Sequence, residues 1–154
     1  MNIDKTNWLI LEELQKDGRM PLKEISRRVG ISSPAISERM QKMEEAGIIN
    51  GYQANVNLKK LGYPMGVYIS AKIRFGQAEK FYELIKNTPE IMECHKLTGN
   101  DCLLIRANVK NTDDLERLNT GLSHYGELTT SLVLSSVVDK RIYNYSDKRL
   151  EMVV

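Results

Sequence analysis

This sequence is poor in the groups that mark several protein classes. It has two cysteines, Cys94 and Cys102, with no CxxC spacing, which argues against a disulfide scaffold or a cysteine-based zinc ribbon. It has two histidines, His95 and His124, so ligands for a metal are scarce. Cys94 and His95 are adjacent, and in a strand they point to opposite faces; no metal and no cofactor is expected. No apolar run approaches the length that spans a bilayer, and the polar N-terminus lacks the cationic-then-apolar pattern of a secretory signal. A cytoplasmic protein with reduced thiols and no membrane partner is expected. There is no glycine-rich phosphate loop. The paired carboxylates Glu12-Glu13 and Glu44-Glu45 are neighbours that diverge on a helix, and Ser123-His124 carries no nucleophile motif. No enzyme activity is expected.

An excess of one charge is missing too. The formal net charge is +2 over 154 residues, so total charge announces no nucleic-acid partner. Its distribution says more. From Arg19 to Lys42 there are six basic residues (Arg19, Lys23, Arg27, Arg28, Arg39, Lys42) against Glu24 and Glu38. Such a run is either a solvated helical face or a phosphate-binding one.

In the middle of that run Ile36, Met40 and Met43 fall at i, i+4 and i+7, one stripe of an α-helix. Ser33-Pro34 reads as its start, with the serine hydroxyl capping and proline in the first turn. A first helix is expected over 4–17, capped by Asp4, with Trp8, Ile10, Leu11 and Leu14 inward and Asp17-Gly18 as its end. A second is expected over 21–29, with Leu22, Ile25 and Val29 on one side and Gly30 closing it. The short turn Gly30-Ile31-Ser32 then makes the second and third helices a helix-turn-helix. After Gly47, Asn50-Gly51 between short apolar runs predicts a small β wing. The glycines and proline of 57–66 mark a linker between a DNA-binding domain, 1–56, and a second domain, 67–154.

The second domain has another rhythm. Val67, Ile69, Ala71 and Ile73 alternate with polar residues as a strand. A helix over 77–87 carries Phe81, Leu84 and Ile85, and strands follow at 91–97 and 103–109. A helix over 112–122 carries Leu115, Leu118 and Leu122, and a final strand is expected near 130–138. The order βαββαβ predicts a ferredoxin-like α+β sandwich: four antiparallel strands with two helices on one face. Leu132, Val133, Leu134 and Val137 place apolar residues on both faces of the last strand, which predicts an apolar open face and dimerisation through the sheet.

The run Arg39-x-x-x-Met43-Glu44-x-x-Gly47-Ile48-Ile49-x-Gly51-Tyr52, with Asp4, Ile10-Leu11, Leu14-Gln15, Asp17, Arg19, Ile25, Val29-Gly30, Ile31-Ser32, Ile36 and Leu61-Gly62, resembles the Lrp/AsnC family of transcription regulators, and the likeness extends to the short, LrpC-like members. The βαββαβ half resembles that family's ligand-sensing and oligomerisation domain. The resemblance implies a homodimer, assembling to tetramers or octamers, that binds double-stranded DNA and responds to an amino acid. On this reading the DNA-contacting residues are Lys23, Arg27, Arg28, Ser32, Ser33, Pro34, Ser37, Glu38, Arg39, Gln41 and Lys42. Arg39 has a rival role as partner to a nearby carboxylate.

The family's effector lies between dimers, near the turn joining strands two and three, where the usual pattern is Gly-x-x-Asp. Here the turn reads Thr98-Gly99-Asn100-Asp101-Cys102, with cysteine at the aspartate position and Asp101 one place early. Together with Thr130 and Ser131 these are the candidate effector residues. Two further readings follow from the resemblance: a DNA-wrapping architectural protein without an effector, and a sirohaem-decarboxylase-like enzyme, for which only His95 and His124 are on offer in the second half.

Overall fold

The computed structural model describes residues 3–99 and 103–145. They form two compact units, one of residues 3–55 and 138–145, the other of residues 56–99 and 103–137. The C-terminal segment expected to complete the second domain therefore belongs, in its described part 138–145, to the first unit.

In the first unit α1 (Lys5–Lys16), α2 (Leu22–Val29) and α3 (Ser33–Glu45) pack around Ile10, Ile25, Ile36 and Met43, all fully buried. Asp4 caps α1 by accepting from the Asn7 N–H at 2.8 Å. Gly30 ends α2 at φ 82°, in the left-handed region that glycine enters without a Cβ clash. The Ser26 hydroxyl donates to the Ile31 carbonyl and braces the turn into α3. The cap of α3 is Ser32, which accepts from the Ala35 N–H, and not Ser33 as expected; Ser33 and Pro34 are already helical.

Gly47, at φ 67°, ends α3 in a Schellman arrangement. Its N–H donates to Glu44 O at 2.9 Å and the Ile48 N–H to Met43 O at 2.8 Å. This returns Ile48 and Ile49 to the core. The wing segment carries no strand pairing: among the described residues, 46–57 contain no strand, Ile48 and Ile49 close the helical core, and Asn50–Asn57 run on exposed.

The second unit is the expected βαββαβ sandwich. A short 3-10 turn, Leu58–Leu61, precedes β1 (Met65–Ile73) and lies within the segment read as linker. Then come α4 (Ala78–Lys86), β2 (Ile91–Lys96), β3 (Leu103–Val109), α5 (Thr112–Ser123) and β4 (Gly126–Leu132). The sheet order is β2-β3-β1-β4, antiparallel throughout. Val67, Ile69 and Ala71 of β1 and Leu103, Ile105, Ala107 and Val109 of β3 bury one face against Phe81, Leu118 and Leu122.

The last strand departs from expectation. It runs 126–132 rather than 130–138, so Leu134 and Val137 lie beyond the sheet and are exposed. Leu132 pairs with Val67, which is on the helix-covered side. The open face is consequently mixed rather than apolar, with Val133, just past β4, beside Gly66 on it. It presents Tyr68, Ser70 and Lys72 of β1, Glu93 and His95 of β2, Leu104, Arg106 and Asn108 of β3, and Thr129 and Ser131 of β4, with Arg106 bonded to Glu93 at 2.6 Å. Gly126 explains the earlier start. A Cβ there would lie 2.2 Å from the Lys72 carbonyl oxygen, so only glycine lets β4 open alongside the end of β1.

Gly126→Ala should therefore cost about 1–3 kcal/mol of stability by forced overpacking, read as a lower urea midpoint; an unchanged midpoint would show that the strand can shift freely.

Candidate nucleic-acid interface

The helical stripe of α3 divides its surface. Ile36 and Met43 are buried, while Pro34, Ser37, Glu38, Gln41 and Lys42 are exposed at successive turns. Ser33 is half-buried beside them. This row of short hydroxyls, amide and charges can donate and accept along a base edge. Within it, Gln41 donates to Glu45 at 2.8 Å and Lys42 pairs with Glu38 at 2.7 Å; all four are solvent-exposed, so the pairs are weakly held and exchangeable.

The basic run that surrounds α3 is extensively paired. Arg27 grips Glu24 with two hydrogen bonds, at 3.0 and 2.7 Å. Arg28 donates to Glu24 at 2.7 Å and to Glu13 of α1 at 2.6 Å. Held by Arg27 and then Arg28, the Glu24 carboxyl falls to about 2. Glu13 is lowered by Lys16 and Arg28. Lys23 and Arg19 make no ion pair among the described residues, and Lys23 is exposed on α2.

Arg39 is different in kind. Its guanidinium is half-buried and donates across the bundle to Asp4 Oδ2 at 2.7 Å and to Asn7 Oδ1 at 2.8 Å. Asn7 is only 2 % exposed. The Asp4 carboxyl is held below its ordinary value by the Asn7 N–H first and by Arg39 second. Of the two roles open to Arg39, carboxylate partner is the one its geometry displays. Asp4, Asn7, Glu13 and Glu24 were not singled out in the sequence as partners of the basic residues. The i, i+3 and i, i+4 spacing of Glu24 to Arg27 and Arg28 was a usable signal; the 35-residue separation of Asp4 and Arg39 offered none. Tyr52, in the segment after α3, donates to Glu44 at 2.9 Å, and burial followed by that carboxylate pushes its hydroxyl up to about 12.

The candidate effector residues are not gathered in one chain. Thr98 and Gly99 follow β2, at one edge of the sheet, while Thr130 and Ser131 are on β4, at the other. Three strand spacings separate the edges, about 14 Å. Thr130 faces the helices and its hydroxyl bonds to Asn119 Oδ1 at 2.8 Å, while Ser131 pairs with Tyr68 on the open face. Asn100, Asp101 and Cys102 lie outside the described residues. Among the described residues no cluster of metal-ligating side chains occurs and no helix is long and apolar enough to cross a membrane.

Residues 3–50 match the family described as winged helix-turn-helix DNA-binding, and residues 66–143 the Lrp/AsnC ligand binding domain. The HTH-type transcriptional regulator LrpC of Bacillus subtilis is 30% identical over 140 residues, which cover 91% of this chain and 97% of that protein. The HTH-type transcriptional regulator FL11 of Pyrococcus furiosus is 34% identical over 73% of this chain and 75% of its own. The solved structure of B. subtilis LrpC superposes with a TM-score of 0.86, covering 91% of this chain and all of that one. The L-Met complex of a Neisseria meningitidis transcriptional regulator superposes with a TM-score of 0.84 at 29% identity, covering 97% and 99%. This chain belongs to the Lrp/AsnC family of transcriptional regulators.

Proposed function

We propose that this protein binds double-stranded DNA as a homodimer, reading bases with α3, and adjusts that binding in response to an amino acid, without catalysing a reaction. The observation that carries the reading is the exposed polar row of α3 above its buried stripe, set by the short Gly30 turn. Two such helices in a dimer would enter successive major grooves about 34 Å apart. Ser33, Ser37, Glu38 and Gln41 reach base edges and Pro34 meets a thymine methyl. Lys23, Arg27, Arg28 and Lys42 meet phosphates, and the Ser32 cap turns the helix N-terminus toward them. Arg39 positions α3 and makes no phosphate contact. Such a regulator works in the cytoplasm.

The dimer forms across the open sheet face, where half-exposed Tyr68 and Leu104 sit among the ion pairs, and further assembly builds on it. An effector that touches both the Thr98-Gly99 turn and Thr130 or Ser131 must bridge copies, because one chain holds these residues at opposite edges of its sheet. The L-Met complex of the Neisseria relative supports an amino acid as the ligand class. Backbone N–H groups of the turn would hold its carboxylate and a turn carboxylate or amide its ammonium group.

Lys23→Ala should weaken binding to every sequence alike and lower the slope of log affinity against log salt by about one unit. Gln41→Ala should instead reduce discrimination between operator and random DNA, by about 1–3 kcal/mol; equal loss on both would remove Gln41 from the base-reading set. Light scattering at micromolar concentration should give the mass of a dimer or larger, and a purely monomeric mass would refute the sheet-mediated assembly. Calorimetry with the twenty amino acids should show heat for at least one, and none for any would make the protein effector-independent.

A further inference from the structure

The segment that follows the sheet is held on the helix-turn-helix unit by its main chain. The Gln15 side-chain amide donates to the Tyr143 carbonyl and accepts from the Tyr143 N–H, each at 2.8 Å. One turn earlier on α1, Glu12 accepts from the Tyr145 N–H at 2.7 Å. Beside these bonds is a groove of about 350 Å³ lined mainly by Trp8, Leu11, Leu14, Ile48, Ile49 and Tyr143.

A helix has no spare main-chain donors or acceptors along its side. A side chain carrying both can bond the N–H and the carbonyl of one extended residue together, as the glutamine amide does, and an acceptor such as the Glu12 carboxylate can take a further N–H. Because the grip is on backbone atoms, it does not depend on what the Tyr143 and Tyr145 side chains are. Residues 138–141, which lead into this contact, are exposed. The same helix carries contacts to both of its neighbours: Glu13 on Arg28 of α2, and, toward α3, Ile10 in the shared core and Asn7, with the capping Asp4, on Arg39. The occupant is marked by its covalent origin as well as by these bonds. The match to the ligand-binding domain runs to residue 143, the residue that Gln15 holds.

We propose that Glu12 and Gln15 form a docking site for an extended peptide on the DNA-binding unit, filled by the chain's own residues 143–145, and that this strap steadies α1 and through it α3. The link to α3 rests on that helix being the DNA reader; the docking site does not.

The chain has a single tryptophan, Trp8, and it lines the groove beside Tyr143. In the full-length protein, Gln15→Ala and Tyr143→Pro each break the grip, the second by removing the N–H. Both positions are exposed, so the helical circular dichroism should be retained. Trp8 should become several-fold more accessible to acrylamide, and operator affinity should fall several-fold with an unchanged salt slope, since no phosphate contact is lost. Unchanged quenching in both variants overturns the docking site. Released Trp8 with unchanged affinity overturns the link to α3, whereas wild-type protein that binds no DNA indicts the reader and leaves the quenching result to judge the strap. A bismaleimide cross-link between Gln15→Cys and Tyr143→Cys, in a Cys94→Ser/Cys102→Ser background, should close within one chain. A cross-link joining two chains would assign the site to a second copy and overturn the strap in cis.

Discussion

Arg39 reaches from α3 to the first turn of α1, and the DNA-binding unit depends on that reach. Its guanidinium meets a capping carboxylate and a buried amide oxygen at 2.7 and 2.8 Å. Without it the Asn7 carbonyl, almost wholly enclosed, would lose a partner, a desolvation cost of about 1–3 kcal/mol. The hydrophobic contact of Ile10 with Ile36 and Met43 holds the helices together but is indifferent to small slides along them. The directional bonds of Arg39 remove that freedom, so the exposed row of α3 is presented in one register. The depressed Asp4 carboxyl has a matching sign: its contribution is complete above the ordinary carboxylate range and is lost as pH falls through the lowered value.

Charge in this unit is arranged for position before it is available for steering. Six basic residues between 19 and 42 look like a phosphate-binding field in sequence. In the fold, Arg27 and Arg28 share Glu24, Arg28 also holds Glu13, and Lys42 holds Glu38. These exposed pairs are individually weak, so a phosphate can compete for each cation. On the proposed reading, that competition would lower affinity for any DNA, specific or not. Discrimination would then fall to the neutral and amide groups of α3, because cations that are already paired add little that depends on sequence.

What was legible in the sequence follows from how local its cause was. Periodicity located the five α-helices of the described residues and the alternation of β1 and β3, because each depends on neighbours a few residues away. The Gly30 turn was legible because a positive φ requires that residue. Only the strand pairing of the wing segment was misread, because Asn50-Gly51 is a local turn signal, while Ile48 and Ile49 are claimed by a core assembled from distant helices. The last strand was misread because its apolar residues 132–137 attract attention, whereas its start is set by a backbone approach at Gly126 that only the paired strand reveals. The Asp4–Arg39 pair and the grip of Gln15 on Tyr143, 35 and 128 residues apart, left no local trace.

The sheet order places a constraint on regulation. The Thr98-Gly99 turn and Thr130-Ser131 occupy opposite edges, so no small ligand can span them within a chain. For the proposed effector, ligand affinity and assembly state would then be one equilibrium. A ligand completed by two copies favours the assembly that brings them together, by its differential affinity and no more. In the proposed dimer, placement of α3 pairs on DNA would depend on the same assembly, since one helix-turn-helix makes few base contacts and two fix a spacing. Regulation of this kind needs no pathway through the core of a single chain: it requires only that the edge residues meet in one arrangement of copies and not in another.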